Sequence, residues 1–253
     1  MIRYSFTEAF RLISRSRRES ALFLAAAALS SVLYILACLA LGIGYDHQTT
    51  LDALRVAPLK GALAMAPGGL VMAWFGAGIS GRLAMDAFKG APEPLTTYAN
   101  GWFMRYLAGS LLLNGGFLAV LLTFNAVPKP EGMGLMAAWS LFCLWLLVRV
   151  CLWEAAMFID GLSPVAAMRR SYSVSRGSAL KLGAVVFLLF LLLSVVMKLA
   201  GLLPWTGPLS LTVARDVLES GILVVAAGAF AAAYLKLGAQ AAPAAAVISG
   251  EEK

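Results

Sequence analysis

Residues 153–181 read WEAAMFIDGLSPVAAMRRSYSVSRGSALK, a long polar interruption between two apolar blocks. Ser163 followed by Pro164 is a helix start: a hydroxyl able to cap, then a proline where a missing N–H is not felt. Counting from there, Val165, Met168 and Tyr172 are spaced three and four apart and share one face, while Arg169, Ser173 and Arg176 share the other. That periodicity predicts an amphipathic helix. Its place between apolar blocks predicts that it lies in the headgroup layer of a membrane.

Composition identifies the solvent. Hydrophobic residues make up 61% of the 253 and charged residues 13%, with mean hydropathy +0.84. A soluble domain carries about 45–50% apolar and about 25% charged residues. The expectation is an all-α polytopic membrane protein with no soluble domain. The net charge of +7 does not imply nucleic acid, because basic residues of such proteins gather on cytoplasmic loops and meet anionic lipid there. Cys38, Cys143 and Cys151 all lie in apolar blocks, with no CxxC or Cys/His spacing, so no metal, cofactor or disulfide framework is expected. Arginines precede a first apolar block long enough to span, which argues against a cleavable signal.

In chain order, Ser5-Phe6-Thr7-Glu8 has the form of a capping box. Behind it Phe6, Ala9, Phe10 and Ile13 form an apolar face and Arg11, Arg15 and Arg18 a polar one. Six spans are then predicted, at about 20–43, 61–85, 104–124, 133–153, 180–203 and 217–237, each near the 20 or so residues a bilayer core requires. Pro67-Gly68-Gly69 and Gly76, Gly78 and Gly81 predict a kink and close helix contacts in the second. A tail at 239–253 is expected to be disordered. With the N-terminus inside, the inner segments hold fifteen Lys and Arg and the outer ones five, which predicts cytoplasmic termini.

Residues 5–24 laid on 163–182 match at eight of twenty positions without a gap, among them Ser5 with Ser163, Ala9 with Ala167, Arg11 with Arg169 and Arg18 with Arg176. A fainter copy places Ala99, Arg105, Ser110 and Leu112 on Ala9, Arg15, Ser20 and Leu22. The prediction is a single domain at 1–238 made of three units, at about 4–86, 94–154 and 163–238. Each is an amphipathic helix on the cytoplasmic side followed by a membrane hairpin.

The run Ile159 to Tyr172, followed by Ser175-Arg176-Gly177, resembles a signature of uncharacterised prokaryotic membrane families, including the membrane domain fused to some glycerophosphodiester phosphodiesterases. Gly81-Arg82 through Lys89-Gly90, with Pro94-Leu95 and Trp102, resembles their second linker. The resemblance implies a six-helix membrane domain and a loose link to lipids. The phosphodiesterase's catalytic domain is not part of this sequence, so its chemistry does not carry over.

Little in the sequence suggests catalysis. Gly78-Ile79-Ser80-Gly81 is similar to the GxSG of rhomboid proteases, but such a serine needs a histidine base, and the only one, His47, is assigned to the opposite side of the membrane. Arg149 and Glu154, at the inner end of the fourth span, are a possible intramembrane polar pair. Asn114 is expected to bond a neighbouring helix. Arg11, Arg15, Arg18, Arg169, Arg170 and Arg176 are candidates to contact anionic lipid headgroups or a protein partner. The expected function is a non-enzymatic accessory, scaffold or lipid-interacting subunit. The alternative is a transporter or permease subunit for a small or lipid-like substrate, which a continuous polar cavity at the midplane would favour.

Overall fold

The computed structural model describes residues 1–44, 58–90, 93–124, 131–202 and 208–248, apart from the side chains of 58, 114, 116–124, 131–137, 202, 208 and 240–248. Among the described residues the chain is all-helical: α1 (Ile2–Arg15), α2 (Arg17–Leu41), α3 (Pro58–Lys89), α4 (Leu95–Phe124), α5 (Glu131–Val150), α6 (Trp153–Asp160), α7 (Pro164–Val174), α8 (Ala179–Leu202) and α9 (Pro208–Ile248). Five stretches are long and apolar enough to cross a membrane: Arg17–Leu41, Leu59–Lys89, Ala138–Asp160, Ala179–Gly201 and Leu209–Ala239. They correspond to the first, second, fourth, fifth and sixth expected spans. The third falls in α4. The Asn114 side chain and the loop with His47 lie outside the described residues.

The two amphipathic rods form, with different faces inward. In α1 the fully buried residues are Ser5, Ala9 and Leu12, and Phe10 is 58% exposed. In α7 they are Ala167, Ser171 and Val174, and Val165 and Tyr172 are exposed. The residues through which each rod packs are its small ones, while Phe10, Val165 and Tyr172 of the apolar faces lie on the outside. Where the surroundings are lipid, burial of apolar surface no longer sorts side chains, and the faces that pack are those whose small residues let backbones approach. Ala9 sits against α9 so closely that a Cβ on Gly228 would be 3.1 Å from the Ala9 Cα. The capping box is not formed either. The helix begins earlier, the Ser5 N–H already bonds the Met1 carbonyl at 2.9 Å, and Glu8 pairs with Arg11 instead. At Ser163 the start is as expected, with extended backbone (ψ 158°) and Pro164 at the first position, though the hydroxyl makes no capping bond.

Breaks separate rod from span in two places. Ser16 (φ −106°, ψ 35°) divides α1 from α2, its N–H shared between the Leu12 and Ile13 carbonyls. Gly161 and Gly177, at φ 69° and 80°, turn the chain into and out of α7, a conformation that costs a residue with a Cβ about 1–2 kcal/mol. The middle rod differs. Residues 95–105 run straight into the rest of α4 with no break, so the expected separate helix of the second unit is the first turns of a longer one.

The opening stretch is the hub of the core. Ala138–Asp160 is interrupted at Cys151 and Leu152, which frees backbone groups there. Ser171 of α7 meets both: its Oγ donates to the Arg149 carbonyl (2.9 Å) and accepts from the Leu152 N–H (3.1 Å). Beyond the break, Trp153, Ala155, Ala156, Met157 and Phe158 are all buried, against Ala84 of α3, Ala167 and Val174 of α7, Leu182 and Val186 of α8, and Ala231 and Tyr234 of α9. The glycines of α3 do make the close contacts expected of them. A Cβ at Gly78 would be 2.5 Å from Leu95, one at Gly81 2.8 Å from Phe158, and one at Gly68 2.7 Å from the Ser30 hydroxyl.

Candidate functional site

One end of the bundle gathers most of the charge. Arg82 of α3 lies 3.4 Å from Glu19 of α2 and donates to Ser16 Oγ (3.2 Å) and to the Glu93 carbonyl (2.7 Å). Arg15 of α1 lies 3.7 Å from the buried Asp86 of α3. On the far side of α9, Arg170 donates to Asp160 (3.3 Å) and to the Tyr234 hydroxyl (3.3 Å), and that hydroxyl donates to Asp160. The Tyr234 bond above all, then the Asp160 charge, holds the Arg170 guanidinium above its ordinary value, so it stays cationic throughout the physiological range. Two residues along α9, Lys236 Nζ lies 4.5 Å from the ring centre of Tyr4 in α1. The same turn of α9 thus touches both rods, and α1 and α7 share one end of the bundle. Arg11, Arg15, Arg18, Arg169, Arg170 and Arg176 are all exposed.

Arg149 and Glu154 do not behave as the sequence suggests. Among the described residues they form no ion pair with each other, and both lie inside the stretch Ala138–Asp160, which runs on past the expected end of the fourth span. Arg149 is 7% exposed and does not snorkel, because its guanidinium is covered by the Tyr172 ring, 4.1 Å from the centroid. Glu154 turns the other way. Its Oε2 accepts from Ser80 Oγ at 2.6 Å and its Oε1 from Tyr106 Oη at 3.3 Å.

That carboxyl cluster lines a chamber of about 960 Å³ bounded by α2, α3, α4, α5, α6 and α9. The α3 wall carries a stripe of small residues, Ala62, Ala66, Gly69, Ala73, Gly76 and Ser80, flanked by Met65, Leu70, Met72 and Ile79; the six are spaced alternately four and three apart so that all lie on one face. Eighteen residues of helix make that wall about 27 Å long. At its outer part Ala62, Ala66 and Gly69 are exposed, whereas Gly76 and Ser80 are buried. Most of the remaining wall is apolar: Leu107, Leu111, Leu147, Leu223 and Phe230 among others, with Glu219 contributed by α9. Position at the closed end is tightly specified. A Cβ on Gly76 would meet the Tyr106 ring at 3.0 Å, and one on Gly109 would be 2.3 Å from the Trp153 indole. Only glycine at both places lets Tyr106 and Trp153 stack (5.8 Å between rings) beside Glu154.

Chemically, two hydroxyl donors on one carboxylate make a fixed acceptor site. Ser80 engages Glu154 here, where the protease reading requires an imidazole. No protein-family model matches the chain significantly, and no curated protein or solved structure does so either.

Sequence reasoning missed the Ser80–Glu154–Tyr106 cluster because its members come from three helices. The heptad of small residues on α3 was the available signal for a cavity wall. It also missed Asp216, which accepts from Ser31 Oγ at 2.5 Å between α9 and α2.

Proposed function

We propose that this is a non-enzymatic integral membrane protein of a prokaryotic inner membrane, with six crossings in three related hairpins and both termini cytoplasmic. Its basic end holds anionic lipid headgroups or an acidic protein partner. The reading rests on one observation: the rods α1 and α7 flank the same turn of α9, with Arg11, Arg15, Arg169 and Arg170 exposed on them, Arg18 at the start of α2 and Arg176 in the turn after α7. Three further points support it. The charge bias puts that end in the cytoplasm, where the leaflet is anionic. The arginine fork suits phosphate oxygens. The resemblance of the 159–177 run to lipid-associated membrane domains points the same way. The alternative, a transporter or permease subunit for a small or lipid-like substrate, would draw on the chamber, whose mostly apolar wall suits a lipid-like substrate better than a polar one.

The test exchanges Arg169, Arg170 and Arg176 for glutamine in the detergent-purified chain and measures retention of phosphatidylglycerol against phosphatidylcholine from mixed micelles. A surface cation is worth about 1 kcal/mol near an anionic leaflet. Arg170 is already paired with Asp160, so Arg169 and Arg176 carry most of the effect. A tenfold or larger fall in phosphatidylglycerol preference at low salt is expected, shrinking as salt screens it. Unchanged preference at low salt would refute the reading.

A further inference from the structure

We propose that the chamber is a binding site for a hydrophobic ammonium ion, one apolar tail and one protonated amine without phosphate, whose head is received by Glu154 and whose tail lies along the small-residue stripe of α3. The tail follows from the wall. The groove from Ala62 to Ser80 is long and lined mostly by aliphatic and aromatic side chains, the usual character of a ligand cavity of this volume.

The head follows from charge. Glu154 accepts one hydrogen bond on each oxygen, from Ser80 and from Tyr106. Both donors are neutral, and a carboxylate has about four lone-pair sites, so acceptor capacity and charge are both left over. Among the described residues no lysine or arginine lines the chamber, and no ion pair involves Glu154. The other ionisable group in the wall, Glu219, is also acidic. Arg149, five residues from Glu154, is turned to Tyr172 and is not part of the wall. A carboxyl taken out of water either keeps its proton or is met by a cation; among the described residues this wall supplies no cation, so an ammonium head is the partner that lets Glu154 sit here as a carboxylate. The ligand that completes it is cationic at one end, apolar at the other, and able to donate hydrogen bonds. The chamber and the basic end therefore select opposite charges, and this inference does not depend on the lipid-holding role of the latter.

The experiment follows thermal unfolding of the full chain in a neutral sugar detergent with sub-micellar dodecylamine, dodecanol, dodecanoate or lysophosphatidylethanolamine. Dodecylammonium should raise the midpoint in a saturable way, as a ligand of the folded state does. The neutral and anionic tails should not, nor should the phospholipid, whose phosphate would be brought beside the same carboxylates. Glu154→Gln should weaken the dodecylammonium effect about tenfold or more, as expected for loss of a charged hydrogen-bond partner. Gly69→Phe should abolish it with Glu154 intact, by filling the tail's path from a position where an added Cβ meets nothing within 4 Å. If Glu154→Gln does not fold, Gly69→Phe decides alone. No stabilisation of the parent protein by dodecylammonium, equal stabilisation by dodecanol or the phospholipid, or retention of the effect in the variants that fold would each overturn the proposal.

Discussion

Replacing Ser171 by alanine removes one hydroxyl that serves two backbone groups at once. In the parent chain Ser171 Oγ accepts from the Leu152 N–H at 3.1 Å and donates to the Arg149 carbonyl at 2.9 Å, at a residue that is 0% exposed. The two groups differ in their fallback. The carbonyl has a second, longer contact, Ser175 Oγ at 3.4 Å, whose single proton is shared with the Tyr172 carbonyl at 3.0 Å, whereas no other bond to the Leu152 N–H is present among the described residues. A buried donor left without a partner costs about 1–3 kcal/mol. Ser171→Ala should therefore destabilise the fold by about 2 kcal/mol, a shift of more than tenfold in the folded-to-unfolded ratio. Ser175→Ala should be nearly silent, because Ser171 still serves the carbonyl. The double variant should cost more than the sum of the two, since only there is the carbonyl orphaned as well, with a coupling of about 1 kcal/mol.

Unfolding of the detergent-purified chain by titration with a denaturing detergent gives the three free energies. Amide hydrogen exchange over residues 149–156 gives an independent local readout, which should quicken in Ser171→Ala. A single variant within about 0.5 kcal/mol of the parent, with exchange unchanged, would refute the idea that α7 is held by splicing the interruption of its neighbour. Strict additivity in the double variant would refute the shared-acceptor account specifically.

Three further outcomes follow from the packing. Gly109→Ala should destabilise by about 1–3 kcal/mol less the roughly 1 kcal/mol that helix propensity returns, because its Cβ would be 2.3 Å from Trp153. Gly101→Ala, with nothing within 4 Å, should stabilise by up to about 1 kcal/mol, so the same titration must rank the two in that order. Tyr234→Phe removes the hydroxyl that bridges Asp160 and Arg170 and should cost about 1–2 kcal/mol; equal stability would show that this bridge does not tie α9 to α7. Gly177→Ala has open space around it but a φ of 80°, so a cost of about 1–2 kcal/mol is purely conformational, and Gly177→Asn should recover part of it.

How much was legible depended on the physics behind each signal. Span length and charge placement are set by the bilayer itself, so the apolar stretches from Arg17 to Leu41 and from Ala179 to Gly201 fall where hydropathy puts them. The Ser163-Pro164 start is a local backbone constraint and was readable too, whereas the turns at Gly161 and Gly177 were not singled out. Which face of each rod packs on the bundle was not readable, because amphipathicity separates an apolar from a polar face and does not say which small residues meet other helices. Phe10 and Val165 obey lipid rules and face out, while Ser5 and Ser171 are buried. The chamber was the least legible feature. Its carboxylate reads as the partner of Arg149 only while both are taken to lie at the end of a span. Once the helix runs on to Asp160 past an interruption, the chain is rotated there and the two side chains point to different neighbours.

The middle rod ties the threefold reading to the chamber. On that reading Ala9, Ala99 and Ala167 occupy one equivalent position, and all three are 0% exposed, as expected if each copy docks its rod through the same small contact. The same alignment places Tyr106 on Ser16, the residue that breaks the first copy. In the first unit the helix breaks at Ser16, and α1 packs against α9 and α3. In the second there is no break, α4 continues as one helix, and the equivalent position projects Tyr106 onto Glu154. The unbroken helix thus carries Tyr106 to the chamber directly after residues 95–105, whereas α1 and α7, which end in a break, lie at the basic end. On the threefold reading, one module used in both ways would account for the basic end and the acidic chamber occurring in the same small chain. It also locates the difference between them in whether a helix is interrupted after its first turns.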